Sequence, residues 1–493
     1  MTQNLSLSAL AHLPAGVAKP NYERSRLRAG ILHIGVGNFH RAHQAVYLDE
    51  LFNTGRDLDW ALVGAGLRAG DTAMRQALAA QDWLTTVVEL EPGANTARVT
   101  GSMIDFLPVE GGGRAIVDAL DDPALRIVSL TVTEGGYCID PATGAFNPDH
   151  PDIVHDAARM DTPRGVFGVI LAALRRRRDR GLVPCTVMSC DNIPHNGLVA
   201  RDAVAGLAQL VDPALADYVR DRVAFPNSMV DRITPATTDR ERAILAERFG
   251  IQDNWPVFCE PFRQWVLEDS FPAGRPALEE VGVTFTSHVA AFELMKLRIL
   301  NGGHATIAYP AALLGIHFVH DAVADPLVRG FLDKLETDEI IPCVPPVPGV
   351  SLGAYYELVC RRFANPDVGD TIPRLAQDGS NRQPKFILPS TRDRLRAGAD
   401  VAGLALESAL WCRYCAGTTD AGGPLKVDDP NADRLMSAAM AAKDQPASFL
   451  ELRDIFGDIA DSTLFRSRFE AALKSLWQVG TRMTLQRYLN ESG

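Results

Sequence analysis

The period of apolar and polar positions changes part-way along the chain. Up to about residue 285, short apolar runs rich in β-branched residues alternate with amphipathic stretches. These runs are ILHIGVG (31–37), WALVGAGL (60–67), WLTTVVEL (83–90), RIVSLTVT (126–133) and CTVMSC (185–190). Such alternation predicts strands joined by helices, hence an α/β domain around a largely parallel sheet. Longer stretches with helical spacing follow: AAFELMKLRILNGGHATIAYPAALLG, SLGAYYELVCRRF, DVAGLALESALWCRYCAG and SRFEAALKSLWQVG. They predict a mostly α-helical second domain, and the expected division is 1–285 and 286–493. The Pro-rich IIPCVPPVPGV (340–350) interrupts the helical set and reads as an internal loop.

A chain of 493 residues exceeds what one core of about 250 to 300 residues can organise, which agrees with two domains. With 49 basic and 61 acidic residues the net charge is -12, which argues against a general nucleic-acid or membrane-surface role and leaves a small molecule as the expected partner. No apolar run approaches the roughly 18 residues of a spanning helix. The start, MTQNLSLSALAHLP, lacks the basic and apolar regions of a signal peptide, so the cytoplasm is the expected compartment. The eight cysteines have no disulfide-framework spacing, and reduced thiols are expected. Cys412 and Cys415 form a CxxC with no second pair or nearby histidine to complete a zinc set, so no metal site is expected. The basic run RRRRDR (175–180) follows the apolar VFGVILAAL and precedes Gly181. It reads as a last helical turn, where cations meet the negative end of the dipole and glycine terminates.

ILHIGVGNFHRAHQAVYLDEL (31–51) is an apolar strand, a glycine turn and an amphipathic helix. Gly35 and Gly37 permit a tight turn and close approach of backbone N–H groups to a pyrophosphate. His40 stands where a third fingerprint glycine belongs, so an ordinary tight turn stays open beside a dinucleotide site. The place of the turn, between the first strand and first helix of the α/β domain, favours the site. Asp71 is the first acid after the second strand; it suits a ribose 2′-OH and repels a 2′-phosphate, whereas Arg68 suits that phosphate. A nicotinamide dinucleotide, with NAD preferred to NADP, is the expectation.

In AFELMKLRILNGGH (291–304), a wheel of about 100° per residue puts Glu293, Asn301 and His304 on the same half as Lys296, among apolar positions. A lysine against an apolar wall loses hydration of its charged form and can act as a base near neutrality; a solvated helix face is the alternative. The neighbouring Asn and His, and Gly302 and Gly303, which permit close approach of another backbone, favour the base. Asn192, in CTVMSCDNIPHN (185–196), lies just beyond the carboxyl end of a strand, where open α/β sheets bind ligands. Its carboxamide and that of Asn301 can bracket a developing oxyanion. Asp231 and Arg232, in FPNSMVDRITP (225–235), occupy a loop-like setting and are either a structural ion pair or ligand contacts. None of the nine tyrosines begins a YxxxK, which disfavours a short-chain dehydrogenase mechanism.

With GVGNFHRAHQ, SLTVTEGGYCID, VMSCDNIPHNG, FPNSMVDRITP and KLRILNGGH in this order, the chain resembles the long-chain mannitol dehydrogenase family of polyol-specific dehydrogenases over nearly its whole length. The resemblance implies an extended Rossmann-type N-terminal domain, a largely helical C-terminal domain and an active site in the cleft between them. It also implies reversible, NAD-dependent, metal-independent oxidation of a sugar alcohol at a secondary carbon, D-mannitol to D-fructose. Lys296 then matches the general base, Asn192 and Asn301 the alkoxide-stabilising pair, His304 a substrate-orienting residue and Glu293 an acid relaying protons to solvent. Asp231, Arg374 and Arg382 match polyol contacts, and Gly35, Gly37, Asn38, Phe39, Arg68, Asp71 and Glu134 cofactor contacts. Two departures stand out: Gly70 replaces an acid common before Asp71, and Arg382 replaces a common lysine. Within the family, a hexuronate reductase of the fructuronate or tagaturonate type is the rival, since Arg374 and Arg382 suit a carboxylate; a D-arabinitol dehydrogenase is another. A catalytically silent dinucleotide sensor is disfavoured by the intact Lys296, Asn192 and Asn301 set.

Overall fold

The computed structural model describes residues 2–109, 111, 113–140 and 144–491, and the chain divides into two compact units, Met1–Ala290 and Ala291–Gly493. In the first, β1 (Ala29–Ile34), β2 (Ala61–Ala65), β3 (Met103–Phe106), β4 (Ile127–Leu130) and β5 (Thr186–Ser189) form one sheet in the order β3-β2-β1-β4-β5. Every pairing in it is parallel. The near-continuous apolar runs are explained by burial on both faces. One face packs against Phe167, Ile170 and Leu171, and the other against Leu48, Leu51, Phe52 and Trp265. The strand order reverses between β1 and β4, which opens a crevice at their carboxyl ends.

The run WLTTVVEL joins a different sheet from its apolar neighbours. Thr85–Glu89 pairs antiparallel with Thr96–Thr100 and parallel with Val257–Cys259. A connection of a few residues can close only an antiparallel hairpin, so the nearby partner captures this strand. The loop-like setting expected for 225–235 is likewise corrected: Ser228–Asp231 is a strand antiparallel to Gln264–Leu267. The arginine run ends helix Val166–Asp179, and Gly181 follows at φ +68°. Arg177 turns inward and donates to the carbonyls of Leu120 (2.7 Å), Val183 (2.8 Å) and Leu125 (3.1 Å), so a cation in the run serves as an interior brace.

The second unit is helical. Helix Gly302–Leu313 is apolar all round and buried throughout apart from His304, as expected of a central helix. Helix Ala402–Cys415 is equally buried and packs against Thr463–Asn490, which bends at Gly480 (φ +78°). Cys412 and Cys415 lie inside the former helix, where burial pushes both thiols well up. All eight cysteines are free. Among the described residues no helix is long and apolar enough to cross a membrane.

Candidate active site

At the carboxyl ends of β1, β2 and β4 lies a cleft of about 420 Å³, within the range of small-molecule sites. Its floor is the turn after β1. Gly35 has φ +97°, and a Cβ there would fall 2.1 Å from the Thr131 carbonyl oxygen, so only glycine fits. Gly37 N–H donates back to the Gly35 carbonyl at 2.7 Å. That carbonyl also accepts from Thr131 Oγ1 at 2.6 Å, and His33 Nε2 stands 2.9 Å from the same hydroxyl. His33 Nδ1 is 2.8 Å from Ser129 Oγ. Burial pushes His33 down to about 3, so the ring is a neutral strut. His40 explains the missing third glycine: its imidazole stacks on His33 with centroids 3.4 Å apart. An aromatic stack thereby joins helix to strand where a glycine ordinarily permits backbone contact.

Arg68 and Asp71 both line the cleft. The Asp71 carboxylate accepts the Arg68 N–H at 2.9 Å and packs on Gly66, where a Cβ would fall 2.4 Å from its Oδ2. Glu134 is exposed between the lining residues Thr133 and Gly135. Asn38 Oδ1 accepts from Arg41 Nη2 at 2.7 Å, and Phe39 stacks on His43. The opposite wall was not foreseen. Buried Asp156 accepts the N–H groups of Arg164 and Gly165, both at 2.9 Å, and fixes the start of helix Val166–Asp179, whose first residues line the cleft. An aspartate ten residues before the helix begins carries no capping signature of its own. The strained glycine turn, the open cleft and the acid beside the second strand fit a dinucleotide.

Asn192 is exposed just past β5. Asp231 is buried at the end of its strand. Arg232 is buried too, donating to Glu89 Oε1 at 2.6 Å and to the Glu260 carbonyl at 3.0 Å, which makes it a structural cation.

In the second unit Lys296 opens a π-helical segment, Lys296–Asn301, followed directly by helix Gly302–Leu313. The uniform wheel is therefore wrong here: i→i+5 bonding widens the turn, so Asn301 stands about one turn from Lys296 instead of nearly one and a half. Lys296 and Glu293 are buried, at 9% and 7% exposure. At Gly303 the close approach is by side chains, not by another backbone: Glu336 Oε1 and Phe363 both lie 3.4 Å from where a Cβ would be. Glu336 is wholly buried, and burial pushes its carboxyl well up. His304 stacks on Phe363 with centroids 4.4 Å apart. Burial first, then the charge of Arg374, lowers it to about 3, with Arg362 and Arg382 adding to the effect. The structure thus gathers His304, Arg374 and Arg382. It also adds Asp370, which the sequence reading missed: Arg374 Nε donates to Asp370 Oδ1 at 2.6 Å and Nη2 to Oδ2. Against the upward push of burial, Arg374 lowers the Asp370 carboxyl. Arg382 Nη1 donates to the Leu375 carbonyl at 2.8 Å.

A parallel sheet with a dinucleotide-type cleft, and a helical unit holding a buried lysine at the head of a π-helical turn, define a Rossmann-type oxidoreductase. Residues 29–280 match the mannitol dehydrogenase Rossmann domain and residues 288–477 the mannitol dehydrogenase C-terminal domain; the chain belongs to the mannitol dehydrogenase family. It is 59% identical to a mannitol 2-dehydrogenase of Cereibacter sphaeroides over 96% of this chain and 99% of that one. A mannitol 2-dehydrogenase of Aspergillus fumigatus is 40% identical, with 98% of each covered. Among solved structures, the Pseudomonas fluorescens mannitol 2-dehydrogenase ternary complex with NAD and D-mannitol matches with a TM-score of 0.88 at 42% identity, covering 99% of this chain and 100% of that one. A D-sorbitol dehydrogenase in substrate-free form matches with a TM-score of 0.91 at 36% identity, covering 98% and 100%.

Proposed function

We propose that the protein oxidises a sugar alcohol at a secondary carbon, D-mannitol to D-fructose and the reverse, with NAD as cofactor, Lys296 as general base and no metal. The observation that carries the reading is Lys296 itself, buried at the head of a π-helical turn that ends at Asn301. The similarity to mannitol 2-dehydrogenases supports the substrate, and the solved relative bound to NAD and D-mannitol supports the cofactor.

Gly35, Gly37, Arg68 and Asp71 would hold NAD, which when bound supplies the hydride acceptor. The chain's own groups handle the proton and the charge. Lys296, buried among apolar side chains, takes the hydroxyl proton as the alkoxide forms. Asn192 and Asn301 present carboxamide N–H groups to that oxygen. Glu293 passes the proton from Lys296 to solvent. His304, neutral at working pH, exchanges hydrogen bonds with a substrate hydroxyl, and Asp231, Arg374 and Arg382 read the rest of the polyol. Because oxidation releases a proton, reduction of the ketose is favoured at neutral pH.

The pairing of Arg374 with Asp370 supports a neutral polyol over a hexuronate, since a guanidinium already matched to a carboxylate has no uncompensated charge for a second one. The deciding experiment follows NADH absorbance with mannitol, sorbitol, arabinitol, fructose and fructuronate. A higher kcat/KM for fructose than for fructuronate is expected; the opposite order replaces the polyol reading with the hexuronate one. Asp71→Ala is expected to raise the use of NADP relative to NAD.

A further inference from the structure

β4 and β5 are neighbours in the sheet, so the segments that follow them leave its edge side by side. The first, from Thr131 to Tyr137, supplies Val132 and Thr133 to the cleft wall. The second carries Asn192. Asp191 stands between them with 9% exposure. Its Oδ2 accepts the Val132 N–H at 2.9 Å and the Tyr137 hydroxyl at 2.8 Å, and its Oδ1 accepts the Thr133 N–H at 3.0 Å. Thr133 has φ +65° and ψ 164°, a region hostile to a β-branched residue and kept only where surrounding contacts over-determine it. The N–H of this strained residue is held by Asp191 Oδ1. On its other side, the Asp191 carbonyl accepts from Asn196 Nδ2 at 3.0 Å and from the Ile193 N–H at 2.9 Å, closing the turn in which Asn192 lies. A carboxylate serving stability alone has no reason to meet the cleft at its most strained residue.

We infer that Asp191 is a positioning residue: one carboxylate ties the cleft wall to the turn bearing Asn192 and sets cofactor affinity and carboxamide orientation together. The inference rests on the functional reading of the cleft and of Asn192 given above. Asp191→Asn keeps the shape but replaces an acceptor with a donor facing N–H or O–H groups. Expected are a roughly tenfold weaker NADH affinity by fluorescence titration, a roughly tenfold lower kcat at saturating cofactor, and faster hydrogen exchange over residues 131–137. In a Thr133→Gly background, where glycine accepts the positive φ without strain, Asp191→Asn is expected to weaken NADH less than about threefold. Equal losses in the two backgrounds, or unchanged NADH affinity and exchange, overturn the inference. If Asp191→Asn fails to fold, Tyr137→Phe removes a single donor, and an increase of about threefold in the NADH dissociation constant is expected; no increase overturns the inference. These readouts do not depend on the polyol, so a wild type that oxidises none of the polyols overturns the substrate reading and leaves this test intact. A wild type that binds no NADH overturns the cofactor reading, and hydrogen exchange then decides alone.

Discussion

His33 in the first unit and His304 in the second are both driven down to about 3 by burial and are neutral at physiological pH, yet they are held in opposite ways. His33 has both ring nitrogens within hydrogen-bond reach of protein atoms, Ser129 Oγ on one side and Thr131 Oγ1 on the other. His304 lies flat on Phe363, and its buried Nε2 has no hydrogen-bond partner among the described residues. A buried polar atom without a partner costs free energy unless something else satisfies it. Burial therefore acts differently on the two rings. At the glycine turn it fixes His33 between two hydroxyls that also tie the neighbouring strand. At His304 it leaves a ring nitrogen dry and unmatched among the described residues.

The largest expected effect tests the reacting half. Lys296→Ala should lower kcat by about 10² to 10⁴-fold, the range for loss of a general base, while NADH affinity measured by fluorescence stays within about twofold. Wild-type turnover in this variant at neutral pH removes Lys296 from the mechanism. The two histidines provide the sharpest cross-over. His304→Ala should reduce kcat/KM for the polyol by about 10 to 10²-fold, because a hydroxyl loses its partner, and leave NADH affinity unchanged. His33→Phe should do the reverse, weakening NADH by about fivefold, as one hydrogen bond is worth about 1 kcal/mol, with kcat at saturating cofactor nearly intact. If both variants show the same pattern, the division of labour is wrong.

A smaller change is expected in selectivity. Asp370→Asn leaves the Arg374 charge unmatched, and the ratio of kcat/KM for fructuronate to that for fructose should rise about fivefold or more; an unchanged ratio means Arg374 does not face the substrate. The remaining prediction concerns stability and not activity. Glu407 is wholly buried, accepts from Gln383 Nε2 at 2.6 Å, and is pushed up by burial to about 8. The native state therefore keeps a proton that the unfolded chain releases near pH 4.5, so stability falls as pH rises from there to about 8, by up to about 1.4 kcal/mol per pH unit. Glu407→Gln should flatten this slope in urea unfolding at pH 5, 6.5 and 8. A slope equal to the wild type's assigns the pH dependence to other groups.

Much of this was legible in residue order. The strand and glycine turn of 31–37 and the change of period near residue 285 are local signals. So is the arginine run that ends a helix before Gly181. The strand at 83–90 was legible as a strand but not as a member of the second sheet, because an apolar run does not record which partner captures it. His40 read as a defect in a motif until its stack on His33, seven residues away in the chain, came into view.

Periodicity and spacing are short-range quantities, and they suffice for the fold class and the glycine turn, while the roles of the reacting residues came from resemblance to the family. The widened turn at Lys296, the pairing of Arg374 with Asp370 and the hold of Asp191 on Thr133 emerge only in the folded chain. Each of these depends on burial and on partners brought in by packing, because a hydrogen bond or a displaced pKa is set by which atoms exclude water from a group and which replace it.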